Sequence, residues 1–375
     1  MKKKILLIII GIVVLLLGTL FMPFSFTRCK LSTTDSKYEY VMKDVFKDKN
    51  PYIRDIAMLG AHDAFSSGIS YSSKPNVNEG GITNNKVVNT IGKGLVVRMS
   101  KAQNASAKEM LYNGVRYFDV RITLIDGVYY TTHGYLSNTL ESYLKDVVDY
   151  LGTHTGEFII FDIQHFYTPD GSNYDLSSEA YTDLLKYMMK VTNDKGLSLL
   201  DYVHYNSVYD ENISELRYND VTKGKTDAGV VILAKVKGIS SIFYRDNDAT
   251  KNEADTYTNI RSYWHNTNSN KDMLSGIDSE VEFVKDHLDI YSKLLRVNQA
   301  QKTGFIMDIS LVNSLVSWSI LDMANNFNAK LVKDKSEFTS WLEYLPILMV
   351  DNVTSTKGNF NALANDYIID YNKTL

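Results

Sequence analysis

Cysteine, proline and runs of basic residues are scarce in this 375-residue chain. A disulfide framework is excluded because Cys29 is the only cysteine. The formal net charge is −4 and there is no long basic run, which argues against nucleic acid as a partner, since phosphate binding normally needs a concentrated field of Lys and Arg. Low-complexity sequence is also scarce, and 44% of the residues are apolar. The chain is therefore not a disordered protein and can bury a large core.

One uncharged apolar run stands at the start of the chain, from Ile5 to Met22. As a helix this run rises about 27 Å, close to the thickness of a bilayer core. Lys2 to Lys4 precede it and predict a cytoplasmic amino terminus, with everything after Arg28 on the outer side of the membrane. No small-x-small cleavage site follows, which favours a retained anchor over a cleaved signal peptide. We therefore expect a membrane-anchored protein with an extracytoplasmic domain, or a secreted protein if the segment is cleaved.

The rest of the pattern divides the chain into three regions. Residues 1–30 are a cytoplasmic stub with the anchor or signal segment, residues 31–50 a polar linker, and residues 51–375 one folded domain. There, apolar strand-like runs alternate with amphipathic helical ones, which predicts a parallel-stranded α/β domain, either a barrel or an open sheet. The polar segments Gly68–Met99 and Asp246–Asn270 are expected to be loops over a site. Seven candidate strands are visible, and an eighth could be hidden: Ile53–Gly60, Val115–Ile122, Val128–Thr132, Glu157–Ile163, Gly229–Val236, Gly304–Ser310 and Leu345–Val350.

Two helical stretches have recognisable features. The stretch Asn138–Leu151 carries apolar residues along one face. In the stretch Asn104–Tyr112, Ser106 and Glu109 have the spacing of a capping box, and Gly114 is placed to end the helix.

Titratable residues follow several of the predicted strands. His62 and Asp63 come directly after the first strand, His133 after the third, and Asp351 after the last. A lone histidine after a strand is more often a turn residue than a catalyst, and Asp351 could cap the following helix. The conjunction is more informative, because α/β barrels carry their active sites at the carboxyl ends of the strands.

The second strand carries an acid and a base on one face. With a side-chain period of two, Asp119 and Arg121 point to the same side, and Phe118, Val120 and Ile122 point to the other. Opposite charges on a buried strand are costly unless they serve each other or a ligand. A structural ion pair and a ligand site both remain open for this pair.

The motifs around these residues occur in the order GAHD, QNASAKEMLYNGVRYFDVRI, TTHGYL and, after a helix, GEFIIFDIQHFY. In this order they resemble the X domain of phosphatidylinositol-specific phospholipase C (PI-PLC), from Pro51 to Val353 and most strongly from Ala57 to Tyr167. The resemblance implies a distorted, incompletely closed (β/α)8 TIM-type barrel. It also implies cleavage of the bond between phosphate and diacylglycerol in an inositol phospholipid or a related glycolipid.

The resemblance further implies roles for the residues at the strand ends. Attack by the inositol 2-hydroxyl needs a base on one side of phosphorus and an acid on the other, and two histidines with ordinary pKa values near 6.5 suit both tasks at neutral pH. The expected product is a cyclic inositol phosphate. The implied roles are general base for His62, general acid for His133, phosphate ligand for Arg121, and supporting carboxylates for Asp63, Asp119 and Asp351.

Arg121 also bears on the metal question. Calcium-dependent members of the family carry two acidic residues on this strand, whereas the bacterial type acts without metal. The chain reads Asp119-Val120-Arg121, so a fixed positive side chain would repel a divalent ion and replace its function. We predict that no metal or other cofactor is needed.

The chain departs from the secreted bacterial enzymes at the end of the fourth predicted strand. Those enzymes carry a Lys there that helps to bind inositol, whereas this chain has Gln164 and His165, which is more similar to X-domain-containing proteins of the eukaryotic type. Both become candidate head-group contacts, although a structural role for His165 is equally open. Trp264 is expected near the barrel mouth, and Lys235 or Lys237 is expected to neutralise phosphate.

Two other functions remain as alternatives. A glycerophosphodiesterase or phospholipase D-like enzyme would use a similar barrel, but such enzymes normally show paired acids as metal ligands. A non-catalytic lipid-binding module would keep the fold without turnover. In each case the membrane is an expected partner and nucleic acid is not, and the oligomeric state stays open.

Overall fold

The computed structural model of the chain describes residues 5–11, 13, 37–205, 212–246, 259–304 and 319–375. Residues 5–11 are helical. Within these ranges, no helix is both long and apolar enough to cross a membrane. Residues 12 and 14–22 of the predicted anchor lie outside the described part of the chain, so the anchor stays a prediction.

Eight parallel strands surround a common interior and follow one another in chain order. They are β1 (Met58–Ala61), β2 (Val115–Ile125), β5 (Phe158–Thr168), β7 (Gly229–Ala234), β8 (Phe243–Tyr244), β9 (Ile260–Tyr263), β10 (Leu295–Gln299) and β11 (Ile347–Val350).

The ring of strands is closed on one side and open on the other. The last strand, β11, pairs with β1 in parallel, with Ala61 opposite Val350. In the described residues, β8 and β9 do not pair with each other. The amide of Asn259 bridges this opening by donating to the carbonyl of Tyr244 at 3.0 Å. The predicted incompletely closed TIM-type barrel is therefore confirmed.

Three short strands extend the sheet outside the barrel: β3 (Val128–His133), β4 (Tyr135–Thr139) and β6 (Gly171–Ser172). The prediction of a third parallel strand was wrong, because β3 runs antiparallel to β2. Asp126 and Gly127 form the two-residue turn between them, with φ of 51° and 78°, and Asp-Gly is a typical hairpin turn. The chain thus reverses, and the carboxyl end of β3 returns toward the middle of β2.

Helices occupy most of the connections between barrel strands. The capping box of Ser106 and Glu109 is confirmed, and Gly114 follows that helix with φ of 85°. The second predicted helix begins at Leu140, two residues later than expected. The α-helices are Lys93–Ser100, Ala107–Tyr112, Leu140–Leu151, Ser178–Met188, Tyr218–Val221, Asn270–Asp286, Leu288–Tyr291, Ile320–Leu331, Lys335–Tyr344 and Phe360–Asn372. Single helical turns of other types lie at Ile82–Asn84, Val88–Gly92, Asn173–Asp175, Leu199–Tyr202, Ile213–Glu215 and Lys357–Asn359.

Two predicted loops contain regular structure. Residues 68–99 include most of the helix Lys93–Ser100. This helix packs against the protein through its buried apolar side chains, Leu95, Val96, Val97 and Met99. Residues 246–270 include β9. The missed strand β10 carries Arg296, Asn298 and Gln299 at buried positions, so its pattern is not apolar. The candidate strand Gly304–Ser310 lies, apart from its first residue, outside the described residues.

The strands alternate between two apolar clusters. Phe118 and Val120 pack outward beneath the helices, whereas Tyr117 packs in the cluster inside the barrel, as the period of two predicts. Met42 and Phe46 join the interior cluster. Residues 37–50 are the described part of the predicted polar linker. They pack against the barrel through their few apolar side chains, which are buried.

Candidate active site

His62 and Asp351 meet where two neighbouring strands end. His62 follows β1 and Asp351 follows β11, and the His62 backbone N–H continues the ladder by donating to the Val350 carbonyl at 3.1 Å. Because the two strands are paired, the side chains emerge side by side. His62 Nδ1 donates to Asp351 Oδ1 at 2.7 Å, so Nε2 is the nitrogen of the neutral imidazole that can accept a proton.

Arg121 lies among the acids of β1 and β2. Its Nε is 2.5 Å from Asp63 Oδ1, and its Nη2 is 3.8 Å from Asp119 Oδ2. Asp119 also accepts the backbone N–H of Asp63 at 3.1 Å. Asp63 has φ of 44°, a conformation that aspartate tolerates better than most residues. Arg121 Nη2 reaches His62 Nε2 at 3.1 Å.

His133 reaches the same cluster from the hairpin. Its Nδ1 lies 3.1 Å from Asp63 Oδ2 and donates to the carbonyl of Ser100 at 2.9 Å. Since that carbonyl can only accept, Nδ1 carries the hydrogen and Nε2 is left for a ligand. The two imidazole rings are 6.3 Å apart between centroids. The structure thus brings together all six residues that were predicted for the catalytic centre.

Burial and the acid cluster act on His62 in opposite directions. Burial lowers its pKa, but Asp63, Asp351 and Asp119 outweigh burial and raise the pKa to about 9. Arg121 can donate to Nε2 only while the ring is neutral, and so opposes protonation. We consider the acids decisive, because three carboxylates surround the ring. The expectation of an ordinary pKa near 6.5 for His62 was therefore wrong.

The three carboxyl groups differ in their pKa values. Burial raises the pKa of Asp63, but Arg121 and the two histidines lower it to about 2. Burial raises the pKa of Asp119 to about 6 and also raises that of Asp351. Asp63 is therefore the carboxylate that most firmly keeps its negative charge, between Arg121 and His133.

A cavity of about 360 Å³ opens beside this cluster. His62, Arg121 and His133 line it. Of the predicted head-group contacts, the cavity brings in Gln164, His165 and Trp264. Sequence reasoning missed seven other lining residues: Met99, Gln299, Gln301, Lys302, Thr303, Gly304 and Ile320. The polar run that begins at the last residue of β10 and ends at Gly304 was the signal that could have found five of them.

The two predicted lysines have other neighbours. Lys235 Nζ lies 4.7 Å from the centre of the Tyr174 ring, and Lys237 Nζ lies 4.5 Å from that of Tyr244. Neither belongs to the lining of the cavity. The reason is that both follow β7 on the segment leading to β8, where aromatic rings hold their side chains.

His165 is held as a neutral donor. Its Nδ1 accepts from Asn173 Nδ2 at 3.1 Å, which places the hydrogen on Nε2. Burial lowers its pKa well below the ordinary value, and Arg121 and Lys235 act in the same direction. His165 can therefore offer one neutral hydrogen bond to a ligand.

The acids raise the question of a metal. His62, Asp63 and Asp119 each offer one ligand atom within 4.8 Å of one another, which is a spacing that could hold a metal ion. The guanidinium of Arg121 pairs with both carboxylates. A divalent cation would have to displace that positive charge. The two carboxylates therefore suit the guanidinium of Arg121 better than a metal ion.

Known proteins of similar sequence match about a third of this chain. No family model matches the chain. It is 32% identical over 126 residues to the variant-surface-glycoprotein phospholipase C of Trypanosoma brucei brucei, covering 31% of this chain and 35% of that protein. It is 29% identical over 121 residues to the PI-PLC X domain-containing protein 3 of Danio rerio, covering 31% of this chain and 38% of that protein. The matched part thus spans only about a third of the length of these relatives.

The fold extends the likeness to nearly the whole chain. A mutant of the phosphatidylinositol-specific phospholipase C of Staphylococcus aureus has a TM-score of 0.57 at 17% identity, covering 91% of this chain and 99% of that one. A pentafluoro-phenylalanine variant of the same enzyme has a TM-score of 0.56 at 16% identity, covering 85% and 93%. The resemblance to the PI-PLC X-domain family is confirmed. Because the bacterial structures share only 16 to 17% identity with this chain, they support the fold alone. The resemblance to the X domain rests on the sequence relatives.

Proposed function

We propose that this chain is a PI-PLC-like phosphodiesterase that cleaves the bond between phosphate and diacylglycerol in an inositol phospholipid. One observation supports this above the others. Two imidazoles and a guanidinium, supported by three carboxylates, face one cavity at the carboxyl end of the barrel. Cleavage of a phosphodiester needs a general base, a general acid and a fixed positive charge, and these groups supply all three.

His62 acts as the general base through Nε2. It takes the proton from the inositol 2-hydroxyl, and the hydroxyl oxygen forms a bond to phosphorus. Asp351 accepts from Nδ1 at 2.7 Å, so it holds the tautomer and stabilises the imidazolium that forms. Arg121 Nη2 donates to this nitrogen at 3.1 Å, and we propose that the inositol 2-hydroxyl takes its place when Arg121 turns to the phosphate oxygens.

His133 acts as the general acid. As the phosphorus–oxygen bond to diacylglycerol breaks, protonated His133 delivers its proton from Nε2 to the leaving oxygen. Asp63 Oδ2, at 3.1 Å from Nδ1, helps to orient the ring. The products are diacylglycerol and a five-membered cyclic inositol phosphate, and slower attack by water would open the ring.

Arg121 binds the phosphate oxygens with its planar fork. It is fixed by Asp63 and contributes a permanent charge where a metal ion would otherwise act. We therefore propose a metal-independent reaction.

The remaining cavity residues form the head-group subsite. Gln164, His165 and Trp264 line it and offer neutral hydrogen bonds and an aromatic surface. We propose that the chain acts at a membrane, anchored by residues 5–22 with its barrel on the outer side, or secreted if the anchor is removed.

Phosphorus NMR of the purified full-length chain with phosphatidylinositol vesicles tests this function. We expect a transient cyclic phosphate signal, unchanged by EDTA and lost in the double variant His62→Ala/His133→Ala. Activity that EDTA abolishes would favour a metal-dependent glycerophosphodiesterase or phospholipase D-like reaction. Vesicle binding without turnover of any inositol lipid would favour a non-catalytic module.

A further inference from the structure

A short segment connects the three strand ends of the site. It consists of residues 100–103 and begins at the last residue of the helix Lys93–Ser100. At one end of the segment, the carbonyl of Ser100 accepts from His133 Nδ1 at 2.9 Å. In its middle, the carbonyl of Ala102 accepts the backbone N–H of Asn352 at 2.8 Å. The segment therefore contacts the general acid and the residue after Asp351.

Gln103 completes this arrangement with its side chain, which is fully buried. Its Nε2 donates to the carbonyl of His62 at 2.8 Å and to the carbonyl of Val350 at 2.9 Å. Its Oε1 accepts the backbone N–H of Val353 at 3.0 Å. A single amide thus joins the main chain at His62 to the main chain on both sides of Asp351.

The segment is itself held in place by Ser66. The hydroxyl of Ser66 accepts the backbone N–H groups of Ala102 at 3.1 Å and Gln103 at 2.9 Å, and Ser66 is buried. Since Gln103 uses both its donors and its acceptor, it leaves little freedom for the ends of β1 and β11 to move apart.

We propose that Gln103 is a positioning residue that sets the contact between His62 and Asp351. This inference rests on the proposed function for its catalytic consequence. Gln103 does not belong to the lining of the cavity, so it acts through His62 and Asp351 and not on the substrate. The same segment fixes the tautomer of His133 through Ser100, so both proton-transfer groups take their orientation from residues 100–103.

The other end of β1 offers a matched control. Asn372 is also buried, and its side chain both donates to the carbonyl of Ala57 and accepts the Ala57 N–H, each at 2.8 Å. Asn372 therefore fixes the start of β1, whereas Gln103 fixes its end. A purely structural role for Gln103 predicts that both positions behave alike.

The test compares Gln103→Met with Asn372→Leu in the full-length chain. Both substitutions remove the amide and put an apolar side chain of similar length in its place. For Gln103→Met we expect the NMR titration of His62 to move to lower pH, because the imidazole separates from Asp351. We expect kcat on phosphatidylinositol to fall about 10- to 100-fold, as a small misplacement of a catalytic group does, with KM changed less than about twofold. Asn372→Leu should lower the melting temperature and leave the His62 titration in place.

Three outcomes are separable. Equal effects of the two substitutions on the His62 titration, or none from Gln103→Met, would overturn the positioning role. If the wild-type chain turns over no phosphodiester, the proposed function fails, and the titration still decides the role of Gln103. If Gln103→Met does not fold, Ser66→Ala replaces it, because loss of that acceptor loosens the same segment, and the same downward shift of the His62 titration is expected.

Discussion

Strand β2 carries two arginines five residues apart, and their surroundings differ. Arg116 is fully buried. It pairs with Glu157 at 2.8 Å and donates to three main-chain carbonyls at 2.7 to 2.9 Å. Glu157 in turn accepts two backbone N–H groups at 2.9 Å. Every group in this pair is used by the fold itself.

Arg121 pairs with acids as well, but its cluster is incomplete. Its side chain is 16% exposed and lines the cavity. Within the described residues, Asp119 Oδ1 is buried without a hydrogen-bond partner. Polar groups that the fold leaves unsatisfied beside a cavity are typical of a binding site, whereas a satisfied buried pair is typical of a structural one. We therefore assign Arg116 to stability and Arg121 to chemistry.

Among the substitutions that test this comparison, Arg121→Lys should have the largest effect. Lysine keeps the charge but loses the planar fork, so we expect kcat/KM to fall by about 10² to 10³, the usual loss for one transition-state donor. The melting temperature should stay close to that of the wild type. A variant that keeps full activity would break the comparison, because Arg121 would then be structural like Arg116.

Arg116→Lys is the matched exchange. A lysine cannot satisfy the carboxylate and three carbonyls at once, so the free energy of unfolding should fall by about 2 to 3 kcal/mol. Urea unfolding measures this, while kcat/KM of the folded protein should stay unchanged. Loss of activity without loss of stability would reverse the two assignments.

Asp351→Asn should alter the pH profile. The general base works only when unprotonated, so a raised pKa places the rise of kcat/KM at alkaline pH, near the value of about 9 for His62. An amide carries no charge and cannot raise that pKa. The rise should therefore move to lower pH by about one unit, with a lower plateau. An unmoved profile would show that Asp351 does not act on His62.

The smallest effect should come from Lys237→Met. Lys237 lies over the Tyr244 ring and outside the cavity lining, so we expect kcat/KM to change less than about twofold, as for a peripheral charge. A tenfold loss on vesicles would support the phosphate-neutralising role that the sequence suggested.

The sequence predicted the parts of the fold that local patterns specify. The alternation along Val115–Ile122 placed Asp119 and Arg121 on one face and Phe118 and Val120 on the other. The direction of β3 was missed, because apolar content does not show whether a strand runs parallel or antiparallel. Only the Asp-Gly turn before Val128 carries that information.

Site residues that directly follow a strand could be predicted from the sequence, and the other site residues less so. His62 and Asp351 follow adjacent strands, so barrel topology alone brings them together. The pKa of His62 depends on three carboxylates from different strands, which no local pattern reveals. Gln299 and Gln301 were missed because β10 contains buried polar side chains. Lys235 and Lys237 lie outside the cavity lining, over the Tyr174 and Tyr244 rings, and the phosphate-neutralising role expected of one of them stays a prediction.

The assignment of base and acid is the central claim, and leaving-group dependence tests it most directly. The measurement compares kcat/KM of His62→Ala and His133→Ala on phosphatidylinositol and on a nitrophenyl ester of inositol phosphate. A nitrophenolate leaves without a proton, so His133→Ala should lose about 10³-fold on the lipid and far less on the ester, whereas His62→Ala should lose similarly on both. Equal losses of His133→Ala on the two substrates would contradict the account.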